Sequence, residues 1–274
     1  MSEPGPVDVR YGKAAVTFYR ADVRRGIFAA EVRLEATGGN LLPAYTRGDN
    51  SMVVATDTMK NFIHAMALEY SGASLEEFLA LLGRTFLTAY PHIEHVHLRA
   101  RELPFARERG VVYGPRHDDY AVAELGMDRG GVGDHRSGLE SLRLIKLTGS
   151  AFAGFMRDVY TTLPDMGDRP LLVHLNVYWR HGTFEDRVAA AEVRAALVEV
   201  LDSFVSQSIQ HLVHEIGQHL LARFPAIVEV TFDAENHLWD AGRSSDGDLP
   251  TTIYTDPRPP YGVVSLTLRR DQSP

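Results

Sequence analysis

Apolar and polar residues alternate with period two where Phe28, Ala30, Val32 and Leu34 interleave with Glu31, Arg33 and Glu35. That pattern predicts a strand with one buried face. Val7 to Arg20 alternates in the same way but changes phase at Gly12, which predicts the other arm of a hairpin, with a bulge at that glycine. The period then lengthens. Met59, Phe62, Ile63 and Met66 recur at helical spacing, and Ser74-Leu-Glu-Glu77 makes a capping box for a second helix through Leu82 and Phe86. From His92 to Glu102 the alternation returns.

The second half repeats this order. Leu142 to Thr148 and Leu171 to Trp179 read as strands, with turn chemistry at Pro164, Asp165, Gly167 and Asp168 between them. After Thr183-Phe-Glu-Asp186 a helix carries Val193, Ala196, Leu197, Val200 and Leu201 on one face. A further helix aligns Ile209, Leu212, Val213, Ile216 and Leu220. Ala226 to Asp233 and Val263 to Leu268 read as closing strands. Strand pair, helices, strand pair in each half implies an α+β fold, with antiparallel sheets covered by helices on one face. The repeated order suggests duplication. The glycine-rich stretch Gly126-Met-Asp-Arg-Gly-Gly-Val-Gly133 is the natural boundary, giving units 1–133 and 134–274.

Composition narrows the function classes. At 274 residues, 45% hydrophobic and 23% charged, the chain reads as a globular protein able to bury one large core or two ordinary ones. Its net charge of -8 argues against nucleic-acid binding, which relies on clustered Lys and Arg. A small anion can still be held by one arginine or a helix N-terminus. The absence of cysteine excludes disulfides and thiol chemistry. No apolar run approaches the roughly 20 residues that span a bilayer, and Met1-Ser-Glu-Pro-Gly-Pro lacks the regions of a signal peptide. The expectation is no membrane association and a cytoplasmic location.

Among the 12 histidines, His92, His95 and His97 crowd one expected strand with Glu94, and His95 and His97 share a face. No spacing supplies a third ligand, so they read first as half-exposed strand residues. His214-Glu215 begins like a zincin helix, but position 218 is Gln and His219 lies one residue too far round. Phosphate-binding glycine loops, the dinucleotide fingerprint and the nucleophile elbow are absent. Taken alone, Lys13 is a strand lysine that snorkels to solvent, Thr56-Asp57 a helix N-cap, Phe152 a core aromatic and Arg169 an ion-pair partner.

Three stretches change those readings together. Tyr11-Gly12-Lys13, Thr56-Asp57 and the run Ser150-Ala-Phe152-Ala-Gly-Phe155-Met-Arg157-Asp158-Val-Tyr160-Thr161-Thr162-Leu163, followed by Asp168-Arg169, resemble the urate oxidase (uricase) family. The resemblance runs over nearly the whole chain. It implies two tandem tunnelling-fold (T-fold) units whose sheets close into a barrel in a homotetramer, with active sites between subunits. It implies cofactor-independent oxidation of urate by dioxygen to 5-hydroxyisourate and hydrogen peroxide, with no metal. By the same likeness Lys13, Thr56 and His237 relay the proton, and Thr56 and Asp57 contact the substrate. Phe152 stacks on the purine, while Arg169 and Gln210, with the Ile209 amide, grip its polar edge.

The chain departs from the family pattern at one position. Where the family has Pro-Asn-x-His, this sequence has Ala234-Glu235-Asn236-His237, which leaves Glu235 or Asn236 as the polar oxygen or water site. On a regular strand Glu235 and His237 share a face and Asn236 points away. Two other readings remain: a zinc-dependent pterin enzyme of the same broad fold using His95 and His97, and a catalytically silent purine-binding module.

Overall fold

β1 (Arg10–Asp22) and β2 (Gly26–Thr37) pair antiparallel. Asp22 accepts hydrogen bonds from the Arg24 and Arg25 amides at 2.8 and 2.9 Å, and Gly26 takes a positive φ of 89°, so the turn closes without strain. The register slips between Lys13 and Val16, with Ala15 at φ 54°. The bulge therefore follows Lys13, not Gly12 as expected. Gly12 has a different role, because a Cβ there would stand 2.0 Å from the Leu34 carbonyl oxygen and 2.6 Å from Glu35 Cα. Gly12→Ala must push backbone against backbone, with an expected loss on the order of 1–3 kcal/mol. A urea titration that left the unfolding midpoint unchanged would refute this.

The computed structural model describes residues 9–116, 119–245 and 251–270; the expected strand start at Val7 lies outside them. Two compact units result, Met1–Ser137 and Gly138–Pro274. In the first, a helical turn leads to α1 (Leu42–Arg47), followed by α2 (Thr56–Glu69) and α3 (Leu75–Ala89). Ser74 caps α3 by accepting from the Glu77 amide. β3 (His95–Glu102) pairs with β2, and a small hairpin of β4 (Phe105–Arg109) and β5 (Val112–Pro115) precedes β6 (Tyr120–Asp128), which pairs with β3. Ile63, Phe78, Leu82 and Phe86 from the helices are fully buried with Leu34, Val96 and Ala100 from the sheet, so one sheet face is the core.

The glycine-rich stretch holds a tight turn, with Asp128 accepting from the Gly130 amide. Arg129 and Gly130 turn β6 into β7 (Gly131–Lys146), and the compact units divide inside β7. In the second unit β8 (Leu171–His181) pairs antiparallel with β9 (Ile227–His237). Between them α4 (Ala190–Ser203) and α5 (Ile209–Arg223) lie on one sheet face. The hairpin of β10 (Ala241–Ser244) and β11 (Thr252–Tyr254) precedes β12 (Gly262–Arg269), which pairs with β9. Each unit is thus antiparallel sheet plus helices, the expected α+β class.

Alternation in this unit separates two chemistries. Val173, Leu175, Val177 and Trp179 of β8 and Val230, Phe232 and Ala234 of β9 are buried against Leu197, Leu212, Ile216 and Leu220. Each large apolar side chain so buried stabilises by roughly 1.5–3 kcal/mol. The intervening residues face away from the helices and form polar ladders, such as Arg180 with Glu229 at 3.3 Å and Ser265 with Asp233 at 3.0 Å.

Candidate active site

The expected site residues fall into two groups, one in each unit. In the first, the Tyr11 hydroxyl accepts from the Val54 amide at 2.8 Å, tying β1 to the segment that enters α2. Burial raises the Tyr11 pKa, so the phenol stays protonated. Two residues along the same strand face stands Lys13. Ala55 occupies the N-cap of α2 and has no capping side chain. Thr56 and Asp57 are therefore the first two residues of the helix, one position inward from the cap that their residue types suggested. The Asp57 carboxyl titrates below its ordinary range, first because Lys60 donates to it at 2.5 Å, with a further contribution from the Lys13 charge. Lys13, Thr56 and Asp57 thus share one locality at a helix N-terminus, where the dipole favours negative charge.

In the second unit a loop is stapled onto the start of α5. Ala151 donates to the Ser206 carbonyl at 2.8 Å and Ser206 to the Gly149 carbonyl at 3.0 Å. Phe152 exchanges backbone hydrogen bonds with Met166 at 2.8 and 2.9 Å, and Arg169 donates from its backbone to the Ser150 carbonyl at 2.9 Å. Asp168 accepts from the Thr148 hydroxyl and from the Gly149 and Ser150 amides at 2.8 and 3.1 Å, which keeps its carboxyl ionised below the usual range. This carboxylate holds the loop shape that places Arg169.

Phe152, Leu163, Arg169, Ile209, Gln210, Asn236, Leu238, Gly262, Val263 and Val264 line one cavity of about 270 Å³. Its chemistry is an aromatic face, an apolar floor and a few polar ends. The Phe152 ring stacks on Phe155 at 4.9 Å and 11°. Burial lowers the Arg169 pKa, and its buried Nε has no hydrogen-bond partner. Ser208 caps α5 by accepting from the His211 amide at 3.1 Å. The amides of Ile209 and Gln210, in the first turn, precede the first helical hydrogen bond and point out of the helix end. A planar anion fits this set: a ring on Phe152, acceptors on the Arg169 fork and the amides, and the Gln210 carboxamide as donor and acceptor.

The register of β9 puts Glu235 and Asn236 on opposite faces of the strand. Pairing is regular through Glu235, Asn236 and His237 on the β8 side and through Glu235 and Asn236 on the β12 side, so no bulge intervenes. Asn236 lines the cavity with Phe152 and Arg169. Glu235 and His237 lie on the opposite face, joined at 2.8 Å, with His237 packed on His174 and Tyr261 at 3.9 and 4.6 Å between ring centroids. Neither Glu235 nor His237 lines the cavity of Phe152 and Arg169; both lie on the strand face shared with His174. Alternation on an uninterrupted strand is the physical reason.

The pterin-type zinc reading meets an electrostatic obstacle. His97 shares its cavity with four arginines, Arg10 and Arg33 paired with Glu35 and Arg99 and Arg136 paired with Glu124, which occupies the nearby glutamates, and His95 Nδ1 stands 3.9 Å from Asp128. Among the described residues, the group of three histidines or acids close enough to share an ion is His174, Glu235 and His237, which includes neither strand histidine of the first unit. Leu163, Leu238, Val263 and Val264 were missed as lining residues. Only the tertiary placement of their loops and strands makes them so.

Comparison with known proteins gives the family. The Uricase family profile matches residues 9–123 and 135–265. The chain is 38% identical over 271 residues to the uric acid degradation bifunctional protein of Bacillus sp. (strain TB-90), covering 90% of this chain and 54% of that protein, and so spans about half the length of that relative. It is 34% identical to the uricase of Halalkalicoccus jeotgali, covering 96% of this chain and 98% of that protein. The crystal structure of Bacillus sp. TB-90 urate oxidase superposes with a TM-score of 0.89 at 35% identity, covering 96% of this chain and all of that one. That of the Arthrobacter globiformis uricase gives 0.85 at 28% identity, covering all of this chain and 97% of the other. With a family profile matched along nearly its whole length and relatives more than 30% identical over most of both chains, the chain belongs to the uricase family.

Proposed function

We propose that this protein is a urate oxidase: urate, dioxygen and water become 5-hydroxyisourate and hydrogen peroxide, with no resident cofactor. The observation that carries this reading is Arg169, a half-buried guanidinium with an unpartnered Nε in a cavity that also presents Phe152, Gln210 and Asn236. A buried cation without a counter-ion is costly, and an anionic planar substrate removes the cost. Urate supplies the two electrons. Phe152, Arg169, Gln210 and the Ile209 amide hold the ring, Asn236 holds oxygen or water beside it, and Lys13 with Thr56 accepts the substrate proton. Asp57 contacts the substrate next to Thr56. His237, on the other face of β9, completes the proton relay with Lys13 and Thr56.

The two groups belong to different units of the chain, so the proposal extends to assembly. β1 and β12 each have one sheet neighbour among the described strands, and open edges invite pairing with another subunit. Met156, Val159 and Tyr160 are 89%, 91% and 86% exposed, an apolar stretch beside the cavity loop that suits burial by a partner. We infer T-fold barrels closed by several chains, a homotetramer, and sites that join Lys13, Thr56 and Asp57 of one subunit to Phe152, Arg169, Gln210 and Asn236 of another. The proposed location is the cytoplasm; no helix is long and apolar enough to cross a membrane.

The test is loss of urate's ultraviolet absorbance in air with stoichiometric peroxide. Urate binding without peroxide would identify a silent purine-binding module instead. Arg169→Lys keeps the charge but loses the planar fork. It should weaken urate binding by about 1.5–3 kcal/mol. Unchanged affinity in equilibrium titration would make Arg169 a structural residue only.

A further inference from the structure

Behind the Phe152 ring, in the loop that runs to Asp165, stand two side chains that do not line its cavity. The first is Phe155, stacked on Phe152 at 4.9 Å between centroids and 11° between planes. The second is Arg157, whose guanidinium covers Phe155 in turn, 4.6 Å from its centroid. That guanidinium is itself pinned, because it donates to the Leu163 carbonyl at 3.1 Å and to the Asp165 carboxylate at 2.9 Å. Asp165 also accepts from the Gly154 amide at 3.2 Å, where a positive φ of 70° bends the chain between the two rings. Leu163, like Phe152, lines the cavity, so one arginine is tied to two parts of its wall.

We propose that Arg157 is a positioning residue for the substrate ring, acting through Phe155 on the plane of Phe152 and through the Leu163 carbonyl on the cavity wall. The inference rests on the reading of this cavity as the urate site. One face of Phe152 is taken by Phe155, which leaves the other for a planar ligand, and the tilt of Phe152 sets the tilt of whatever stacks on it. Between the two rings the chain has only Ala153 and Gly154, so Phe155 and Arg157 supply the backing. Arginine suits this task as lysine does not. Its flat guanidinium lies on a ring while its separate N–H groups reach two different oxygens. The Arg157 and Asp165 side chains are 47% and 56% exposed, where an ion pair by itself contributes little to stability. The arrangement therefore serves the geometry of the ring more than the stability of the fold.

The experiment combines steady-state kinetics with anaerobic urate binding on the full-length protein. Arg157→Ala and Phe155→Leu should each raise KM and the urate dissociation constant about tenfold, the scale of one stacked contact, with kcat held within about threefold because Lys13 and Thr56 are untouched. Phe155→Tyr, which keeps the ring, should recover most of the affinity that Phe155→Leu loses. Arg157→Lys should fall between wild type and Arg157→Ala, since it keeps a cation near the ring but loses the fork. The Arg157→Ala, Phe155→Leu double variant should bind about as weakly as either single one, because both act through one stack. Unchanged KM and dissociation constant in the folded single variants would overturn the proposal, as would a lowered unfolding temperature as their only effect, or fully additive losses in the double variant. If Arg157→Ala does not fold by circular dichroism, Arg157→Lys and the two Phe155 variants carry the test. Wild-type protein that binds no urate would refute the urate reading and this inference with it, whereas wild-type turnover with insensitive variants would refute the positioning role alone.

Discussion

Lys13→Ala and Thr56→Ala are each expected to lower kcat for urate oxidation by a factor on the order of 10² or more, the usual scale for a positioned proton-transfer group. Both side chains sit at the start of α2 rather than in the ring cavity. Lys13 is near enough to Asp57 to act on its carboxyl, and Thr56 is the first residue of the helix, its cap position filled by Ala55. Neither residue lines the cavity of Phe152 and Arg169. Removing them should therefore cost turnover more than affinity, since the groups that grip the ring remain. The fold should tolerate both changes: Lys13 is a partly exposed strand residue, and Thr56→Ala replaces one residue of a helix with the best helix former. Steady-state kinetics on matched, folded protein decides the matter. Near wild-type kcat in both variants would sink the assignment, and a large rise in KM alone would recast them as binding groups.

What the sequence made legible was whatever local periodicity controls. The apolar stripe on α5, the strand alternation of β2, β8 and β9, and the Ser74 cap all occur as patterned, because each rests on residues within a few positions of one another. The glycine-rich stretch ends within a few residues of the division between the compact units and is itself a turn. Glycines mark tight turns as readily as linkers, and here Asp128 accepts from the Gly130 amide at 2.7 Å to close a hairpin inside a sheet. The ring cavity was legible only through likeness, since Phe152, Arg169 and Gln210 are separated in sequence and meet through the Ser150, Ser206 and Asp168 backbone contacts. His174 drew no notice at all. Nothing near it in sequence marks it, and it meets Glu235 only through strand pairing. Which of Glu235 and Asn236 lines the cavity of Phe152 and Arg169 is a matter of register, which one residue of slip would reverse.

Mixing two inactive proteins should restore activity, and this is the sharper consequence of a site divided between units. Lys13→Ala disables the proton-accepting group and leaves the ring cavity whole; Arg169→Ala does the reverse. If the two groups meet within one chain, no mixture of these proteins contains an intact site. If they meet between chains, as proposed, a hybrid interface can take Lys13 from the Arg169→Ala subunit and Arg169 from the Lys13→Ala subunit. In a symmetric assembly reformed at random from equal amounts, about one site in four receives both wild-type halves, so roughly a quarter of wild-type activity is expected. Subunits are dissociated in mild denaturant, mixed and reassembled, and hybrid formation is checked by native mass spectrometry. Hybrids without recovered activity would count decisively against a shared site, and an active monomer would exclude it. Recovery that tracks the hybrid fraction, while each protein reassembled alone stays inactive, requires that the β1 and α2 residues of one subunit complete the Phe152 and Arg169 cavity of another.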